Sequence, residues 1–361
     1  MPAPFPRAKE GEIVEKGCSG FPMFFDKRKP RIIASDPWAF LEHLVSKRLR
    51  KSEQAEPIAF IEQAYDFYEA ATNPQLGSKP VLYYYSFLNL VKVFLRFNRI
   101  LIPAAPKHGI NDPRANIRER FRIQGQRLHI IGRARDRSQL FAEFIIALGG
   151  SVSGSREIKL LDVLAQIPSI HRAFTQVTSL NSVFVPIKKI ELRRKNNLFW
   201  GRVILDKKDQ DVACGIQNLK TRSFFRKALK QVASELEDEI WLETDTSEGE
   251  RRGVDSAIYK AARKIRSAQL STILTQDGYR YYFNCIKANY YLHPLTASLA
   301  AMFYLGSITR YKPEDFDKIR AGKYGWICEE LIGTQPKQFL YILCSELADV
   351  DVVIPHSLVT S

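Results

Sequence analysis

The spacing of apolar residues predicts a chain that is helical towards both ends. Apolar side chains recur every three or four positions from Asp36 onward and again from Pro57 to Ala71, the period of an amphipathic helix. Asp36 suits the N-cap of the first of these helices, and Pro37 suits its first helical position.

The segment from Val81 to Phe97 is apolar at nearly every position, which is typical of a helix buried on all sides. Asn89, Lys92 and Arg96 interrupt it, so it is too polar for a membrane span. A second apolar helix is predicted at Leu295–Ile308, where small residues let another helix approach closely. We expect these two helices to pack together.

The remaining segments alternate between helical and strand patterns. Further helices are predicted at Gln139–Leu148, Ile158–Gln166, Pro168–Thr178, Arg222–Leu236, Asp255–Leu270 and Thr334–Leu347. Strands are predicted at Leu128–Ile131, Val183–Arg193, Leu198–Leu205, Glu239–Thr244 and Tyr279–Ile286. Asn196 and Asn197 can supply the positive φ angles of a tight hairpin turn.

Together these elements predict an α+β, mostly helical fold, in which N- and C-terminal helices form one body and a small antiparallel sheet is inserted between them. The expected segments are an irregular N-terminal arm at 1–35, a helical region at 36–180 with a basic loop segment at 96–137, an α+β insert with a β-hairpin at 181–290, and C-terminal helices at 291–361 that pack back on 78–99.

Charge adds a preference for anionic partners. The 361 residues include 54 Lys and Arg against 39 Asp and Glu, a formal charge of +15, which favours polyanions such as nucleic acid. The nucleic-acid-binding candidates are Arg114, Arg118, Arg120, Arg122, Arg193, Arg194, Lys195, Lys260, Arg263 and Lys264. The alternative is that these clusters are separate solvated surfaces that never meet, or that they dock on an acidic protein.

The sequence holds no complete catalytic motif. Five scattered cysteines form no CxxC pair and six histidines are isolated, so no metal site is predicted, and a reducing cytoplasm is expected. Neither a phosphate-binding glycine motif nor a nucleophile elbow occurs, so no cofactor is predicted and an enzyme is disfavoured. Glu157–Lys159 matches the ExK fragment of nucleases, but it opens a predicted helix rather than lying in a strand.

Polar residues in the two apolar helices are the remaining candidates for a site. Burying an unpaired charge is costly, so these residues must find partners. We predict an anion-binding pocket, for a phosphate or nucleotide group, formed by Asn89, Lys92, His108, His293 and Arg310. The alternative is structural: Lys92 sits at an exposed edge or pairs with a carboxylate, and Arg310 merely caps the C-terminus of its helix.

Several strings of the chain resemble the YaaC-like family of bacterial proteins. They comprise Lys79, Pro80, Tyr84, Tyr85, Phe87, Leu88, Asn89, Leu90 and Lys92 in the first apolar helix, His108 and Gly109 after it, and His293, Pro294, Leu305, Ser307, Arg310, Tyr311 and Pro313 near the second. Ser86 departs from the glycine expected there. The resemblance implies a bacterial, cytoplasmic protein of unassigned function, and some similar proteins belong to defence-type gene neighbourhoods.

Three functional hypotheses follow. The first is a non-enzymatic, nucleic-acid-associated component of a bacterial defence or DNA-processing assembly, with DNA or RNA as partner and no membrane. The second is an interaction scaffold that binds an acidic protein or forms a homo-oligomer. The third is a nuclease with an unrecognised active site.

Overall fold

The computed structural model of the protein describes residues 13–16, 31–72, 77–103, 106–112, 123–132, 139–152, 154–248, 254–276, 278–286 and 291–355. They form an α+β, mostly helical fold, as predicted. The chain divides into two compact units. The helical unit comprises Ala34–Ser182 and Asn289–Ala348, and the sheet unit comprises Met1–Ile33, Val183–Ala288 and Asp349–Ser361.

The elements are numbered in chain order. The helices of the described residues are α1 (Pro37–Arg48), α2 (Lys51–Thr72), α3 (Lys79–Phe97), α4 (Leu140–Ala147), α5 (Leu160–Leu164), α6 (His171–Thr178), α7 (Gln210–Lys220), α8 (Ser223–Ala228), α9 (Val254–Ser267), α10 (Pro294–Tyr311), α11 (Pro313–Ala321) and α12 (Gly325–Ala348), with a 3₁₀ turn at Pro168–Ile170. The strands are β1 (Ile13–Lys16), β2 (Arg31–Ile33), β3 (Ile110–Asn111), β4 (Arg127–Ile130), β5 (Arg156–Lys159), β6 (Phe184–Pro186), β7 (Lys189–Lys195), β8 (Leu198–Asp206), β9 (Lys230–Val232), β10 (Glu239–Glu243), β11 (Ser247–Glu248), β12 (Leu270–Thr275), β13 (Gly278–Asn284) and β14 (Asp351–Val353).

The first helix begins as the sequence predicted. The Asp36 carboxylate accepts hydrogen bonds from the backbone N–H groups of Trp38 and Ala39 at 2.9 and 3.1 Å, and Pro37 occupies the first turn. These bonds satisfy two of the backbone donors that a helix N-terminus leaves without partners.

The centre of the helical unit is α3, which is covered on several sides by other helices. Phe87 stacks on Phe339 of α12 with ring centroids 4.0 Å apart, and Phe94 meets Phe144 of α4 edge to face. Gly306 of α10 lies against the first turn of α3, where a Cβ atom would stand 3.2 Å from the Pro80 carbonyl oxygen. The apolar character of α3 on every face is therefore explained by burial.

The sheet unit holds a larger antiparallel sheet with the order β1-β7-β8-β10-β9, and β11 also pairs with β8. The predicted hairpin joins β7 to β8, and Asn196 at its turn has the expected positive φ of 55°. Helix α9 packs on β8, where Ile265 fills the space that the absent side chain of Gly201 leaves. A second sheet has the order β12-β13-β6, and β14 pairs with β2 in parallel.

Three predicted elements are wrong because long-range pairing overrides the local pattern. The strand predicted at Val183–Arg193 is two strands in different sheets, since β6 ends at Pro186 and pairs with β13. The helix predicted at Arg222–Leu236 stops at Ala228, because β9 pairs with β10. The helix predicted at Ile158–Gln166 begins at Leu160, because the residues before it form β5 beside β4.

The N-terminal residues also differ from the irregular arm that the sequence predicted. Most of this segment lies outside the described residues, but β1 pairs with β7 and β2 pairs with β14. The segments α7, α11 and β12 were not predicted either.

Two further properties constrain the function. No helix among the residues that the structure describes is long and apolar enough to cross a membrane. Within the same ranges the cysteines are free thiols: Cys214 is exposed, whereas Cys285, Cys328 and Cys344 are buried.

Candidate anion-binding site

The polar residues of α3 lie where this helix faces α2, which runs antiparallel to it. Ser86 donates to the backbone carbonyl of Ala64 at 2.8 Å. Nearly three turns further along α3, Arg96 forms an ion pair with Glu56 at 2.8 Å. Ser86 therefore takes a structural role, since its hydroxyl stabilises the contact between the two helices.

Lys92 is half-buried on this same side of α3. Its Nζ donates to the Asn89 side-chain oxygen at 2.9 Å and lies 4.8 Å from the centre of the Phe60 ring. Among the described residues it has no carboxylate within 4 Å, because the nearby Glu56 pairs with Arg96. Burial lowers the pKa of Lys92, and the charge of Glu56 opposes this shift only in part. The structural alternative in which Lys92 pairs with a carboxylate is thus not what the described residues show.

Arg310 lies exposed in the last turn of α10. Its guanidinium donates to the hydroxyl of Tyr85 at 2.7 Å and to that of Tyr311 at 2.5 Å. Like Lys92, it has no carboxylate within ion-pair distance in the part of the chain that the structure describes. Two tyrosine hydroxyls hold the cation in place without neutralising its charge.

His108 lies in the loop between α3 and β3, and backbone bonds fix this loop. Phe141 donates its N–H to the His108 carbonyl at 3.0 Å, and Gly109 adopts a φ of +81°. The His108 Nδ1 is 2.8 Å from the hydroxyl of Tyr84. When that hydroxyl is the donor, the ring proton is on Nε2, which has no hydrogen-bond partner within the described ranges.

The charge state of His108 depends on the two cations. Burial lowers its pKa most, and the positive charges of Lys92 and Arg310 lower it further. Burial also raises the pKa of Tyr84, so that its phenol keeps its proton. His108 is therefore a neutral group within electrostatic reach of both cations.

These side chains form one elongated site, which we call the Lys92–Arg310 cluster: Tyr84, Tyr85, Asn89, Lys92, His108 and Arg310. Tyr85, which holds Arg310, precedes Lys92 by seven residues, so the two ends are roughly 10 Å apart along the axis of α3. The cluster offers two cations, tyrosine hydroxyls and an imidazole N–H, all of which are donors that suit phosphate oxygens.

His293 does not belong to this cluster, contrary to the sequence prediction. It is the N-cap of α10, and Arg310 lies 17 residues further along the helix, roughly 25 Å away. His293 instead accepts from the N–H of Leu295 at 3.3 Å, and its Nε2 lies 3.3 Å from the carboxylate of Glu346. The side chains of this His–Glu pair are only 10 and 6% exposed. We assign His293 a structural role at the start of α10.

The basic residues predicted on the hairpin do not form one patch. Residues alternate between faces along a strand, so Arg193 and Arg194 of β7 point to opposite sides of the sheet. Arg193 donates to buried Glu191 at 3.1 Å, whereas Arg194 donates to the Asn196 carbonyl at 2.7 Å. Lys195 at the strand end is exposed. Arg114, Arg118, Arg120 and Arg122 lie outside the described residues.

The basic residues on α9 lie on the side of that helix opposite the sheet. Lys260 and Arg263 are exposed, and Lys264 pairs with Asp245 at 2.7 Å. Lys230 of β9 pairs with the same Asp245, and the two lysines hold the pKa of this carboxyl at about 2. Many cations of the sheet unit are thus neutralised by carboxylates, whereas Lys92 and Arg310 are not.

The ExK fragment lies on a strand, which corrects the helix predicted there. Glu157 and Lys159 occupy β5, and Glu157 pairs with Arg127 at 3.4 Å, both side chains being nearly half exposed. A metal-dependent nuclease also needs further ligands. In the described part of the chain no group of three His, Cys, Asp or Glu residues is placed to hold a metal ion.

Tyr84, Tyr85 and Phe60 contribute to the site but were missed as site residues by sequence reasoning. Tyr84 and Tyr85 read as core residues in an apolar helix, and indeed Tyr84 is buried. Their hydroxyl groups could have identified them as site residues, since a buried tyrosine usually finds a hydrogen-bond partner.

Comparison with known proteins gives one match. Residues 23–347 match a family model described as YaaC-like Protein. No curated protein and no solved structure matches the chain.

Proposed function

The chain belongs to the YaaC-like protein family, and from this premise we propose that it is a non-enzymatic, nucleic-acid-associated component of a bacterial defence or DNA-processing assembly. The place in such an assembly comes from the resemblance described above. The association with nucleic acid is the part that the geometry of the helical unit supports, and it is the part that an experiment on the isolated protein tests.

One observation carries the proposal: Lys92 and Arg310 have no carboxylate partner in the described chain, although they lie in or beside a largely apolar body. Burial makes the charge of Lys92 destabilising unless something compensates for it, whereas the exposed Arg310 has a charge that no carboxylate neutralises. Phosphate groups would supply that compensation, and the net charge of +15 would bring a polyanion to the protein.

Binding of labelled oligonucleotides, measured by fluorescence anisotropy at low salt, tests the proposal. The double variant Lys92→Met, Arg310→Leu should weaken binding at least tenfold, since it removes two phosphate contacts. The matched control is Lys318→Met, Arg320→Leu, which removes the same charge from the same unit at residues paired with Asp315 and Glu329. The control should retain nearly full affinity.

Stability must be measured alongside, because Lys92 is half-buried. Methionine at position 92 keeps the apolar stem and removes a charge that burial disfavours, which favours folding. It also removes the hydrogen bond that the Asn89 side-chain oxygen accepts from Lys92, which disfavours folding. Because these effects oppose each other, the free energy of unfolding should change by no more than about 1 kcal/mol. If the double variant loses stability and binding together, the residues are structural and the proposal fails.

The two alternative functions are outcomes of the same set of measurements. Tighter binding of polyglutamate than of any oligonucleotide would favour a scaffold for an acidic protein. Cleavage of labelled RNA or DNA, with or without divalent metal, would favour the nuclease.

A further inference from the structure

Tyr311 presents an aromatic ring at one end of the Lys92–Arg310 cluster. Tyr311 is the last residue of α10, and it is 59% exposed. The guanidinium carbon of Arg310 lies 4.4 Å from the centre of this ring, and the hydroxyl accepts from the same guanidinium. Arg310 thereby holds the exposed ring in a fixed position beside an unneutralised cation.

The shape of the cluster restricts what kind of nucleic acid it fits. Its two cations are roughly 10 Å apart along α3. Lys92 at one end and His108, which contacts Tyr84, are both half-buried. The phosphates of a duplex lie on a stiff outer surface with the bases stacked inside, so a duplex cannot follow a recessed row and offer a base at the same time. A single strand can do both, since its backbone bends and its bases are free to stack.

Resting on the proposed function, we infer that the ligand of the cluster is single-stranded nucleic acid, whose backbone follows α3 from Arg310 past His108 to Lys92, with a base stacked on Tyr311. A cationic track with aromatic rings beside it is the arrangement that binds single strands without strong sequence preference. The ring of Tyr311 supplies the stacking surface, and Arg310 supplies the phosphate contact next to it.

A pair of substitutions at Tyr311 separates stacking from all other effects. Tyr311→Phe keeps the ring and Tyr311→Leu removes it, and at this exposed position neither disturbs the core. The probes are pyrimidine oligonucleotides of DNA and of RNA without terminal phosphates, and a duplex of the same length. We expect Tyr311→Leu to weaken single-strand binding about tenfold, and Tyr311→Phe, which keeps the ring but loses the hydroxyl bond to Arg310, to weaken it only about twofold.

Other outcomes overturn the inference in distinguishable ways. Equal affinity for single strand and duplex, with no difference between the two Tyr311 variants, removes the single-strand inference and leaves the proposed function intact. Equal losses in the two variants would assign the effect to the hydroxyl bond with Arg310, and stacking would be wrong. No binding of any oligonucleotide at low salt removes the inference and the proposed function together.

Discussion

We expect His108 to couple the proposed ligand binding to the uptake of a proton. Its folded-state pKa is lowered by burial and by Lys92 and Arg310, so it stays neutral at pH values where an ordinary histidine is charged. The unfolded chain therefore binds the proton more readily, and this group lowers stability as the pH falls through the ordinary histidine range. A phosphate bound at the proposed site would oppose the positive charges of Lys92 and Arg310 and favour the imidazolium, so binding there would take up a proton.

We therefore expect the affinity for an oligonucleotide to rise severalfold as the pH falls from about 7 to about 5.5, at constant ionic strength. Probes without terminal phosphates are required, because a terminal phosphate titrates in the same range. In His108→Gln, which keeps an acceptor for Tyr84 but does not titrate, this pH dependence should disappear. An unchanged pH profile in the variant would show that His108 does not face the ligand.

His293 offers a second test at a single residue, because the structure gives it a capping role. His293→Asn keeps a side-chain acceptor for the N-terminus of α10, whereas His293→Ala removes it, and both lose the contact with Glu346. The alanine variant should therefore be less stable than the asparagine variant by about 1 kcal/mol in urea unfolding. The two variants should bind oligonucleotides with equal affinity. A loss of affinity in only one of them would indicate that His293 belongs to the binding site.

The sequence predicts some of these residues well and others not at all, for physical reasons. Asn89, Lys92 and Arg310 stand out because polar side chains in apolar helices need partners. The contact of Tyr84 with His108 depends on the path of a loop, which no local pattern specifies. The sequence analysis placed His293 in the same pocket as Arg310. The two residues lie at opposite ends of α10, however, and the length of this helix separates them by roughly 25 Å.

At the scale of elements, the contact between α3 and α10 depends on a glycine. A Cβ atom on Gly306 would stand 3.2 Å from the Pro80 carbonyl oxygen and 3.4 Å from the Val81 Cα, and backbone cannot move aside as a side chain can. Gly306→Ala should thus lower the free energy of unfolding by about 1–2 kcal/mol, although alanine favours helix.

Gly333 of α12 is the matched control for this substitution. It is exposed, and a Cβ atom there would meet nothing within 4 Å. Gly333→Ala should raise the free energy of unfolding by about 0.5–1 kcal/mol through helix propensity alone. If the close approach of α3 and α10 is correct, urea unfolding should show a lower free energy of unfolding for Gly306→Ala and a higher one for Gly333→Ala. A higher free energy of unfolding for both variants would contradict it.

The strongest local signals in the sequence predicted their elements, whereas elements that depend on pairing with another strand were predicted less well. The apolar run of α3 and the capping pair Asp36–Pro37 are strong local signals. By contrast, β9 and β5 exist because other strands pair with them, so residues with a helical pattern are extended there. Most three- and four-residue strands carry too little periodicity to be recognised before their partners are known.

At the scale of the whole molecule, the 54 Lys and Arg residues overstate the number of cations available to a ligand. In the sheet unit Lys188, Lys189, Arg193, Arg202, Lys208, Lys230 and Lys264 all pair with carboxylates. The exposed pairs among these add little stability, but every such pair lowers the field that a polyanion meets. The slope of the salt dependence should accordingly reflect the few cations that contact phosphate rather than all the basic residues of the chain.

The measurement is the slope of the logarithm of the binding constant against the logarithm of salt concentration. Each phosphate contact with a single strand contributes about 0.7 to this slope. Lys92→Met, Arg310→Leu should reduce it by about 1.4, and Lys318→Met, Arg320→Leu should leave it nearly unchanged. A slope unaffected by the first variant would place the phosphate contacts elsewhere on the protein.

Which segments belong to each of the two units had no complete sequence signal. The small residues of α10 pointed to a partner such as α3, but the parallel pairing of β2 with β14 joins three-residue strands near opposite ends of the chain. Nothing in either strand identifies the other, so only the folded chain reveals that both belong to the sheet unit.

The burial of α3 on several sides has a consequence for how the protein is synthesised. The helices α10 and α12 that cover it begin at Pro294 and Gly325, roughly 200 residues after α3 ends, and ribosomes add about 5–20 residues per second. A nascent chain thus carries an almost wholly apolar helix without its α10 and α12 contacts for about 10–40 s. During that interval the segment is a natural substrate for chaperones that hold nascent chains, and a ribosome stalled within the sheet unit would leave an aggregation-prone fragment.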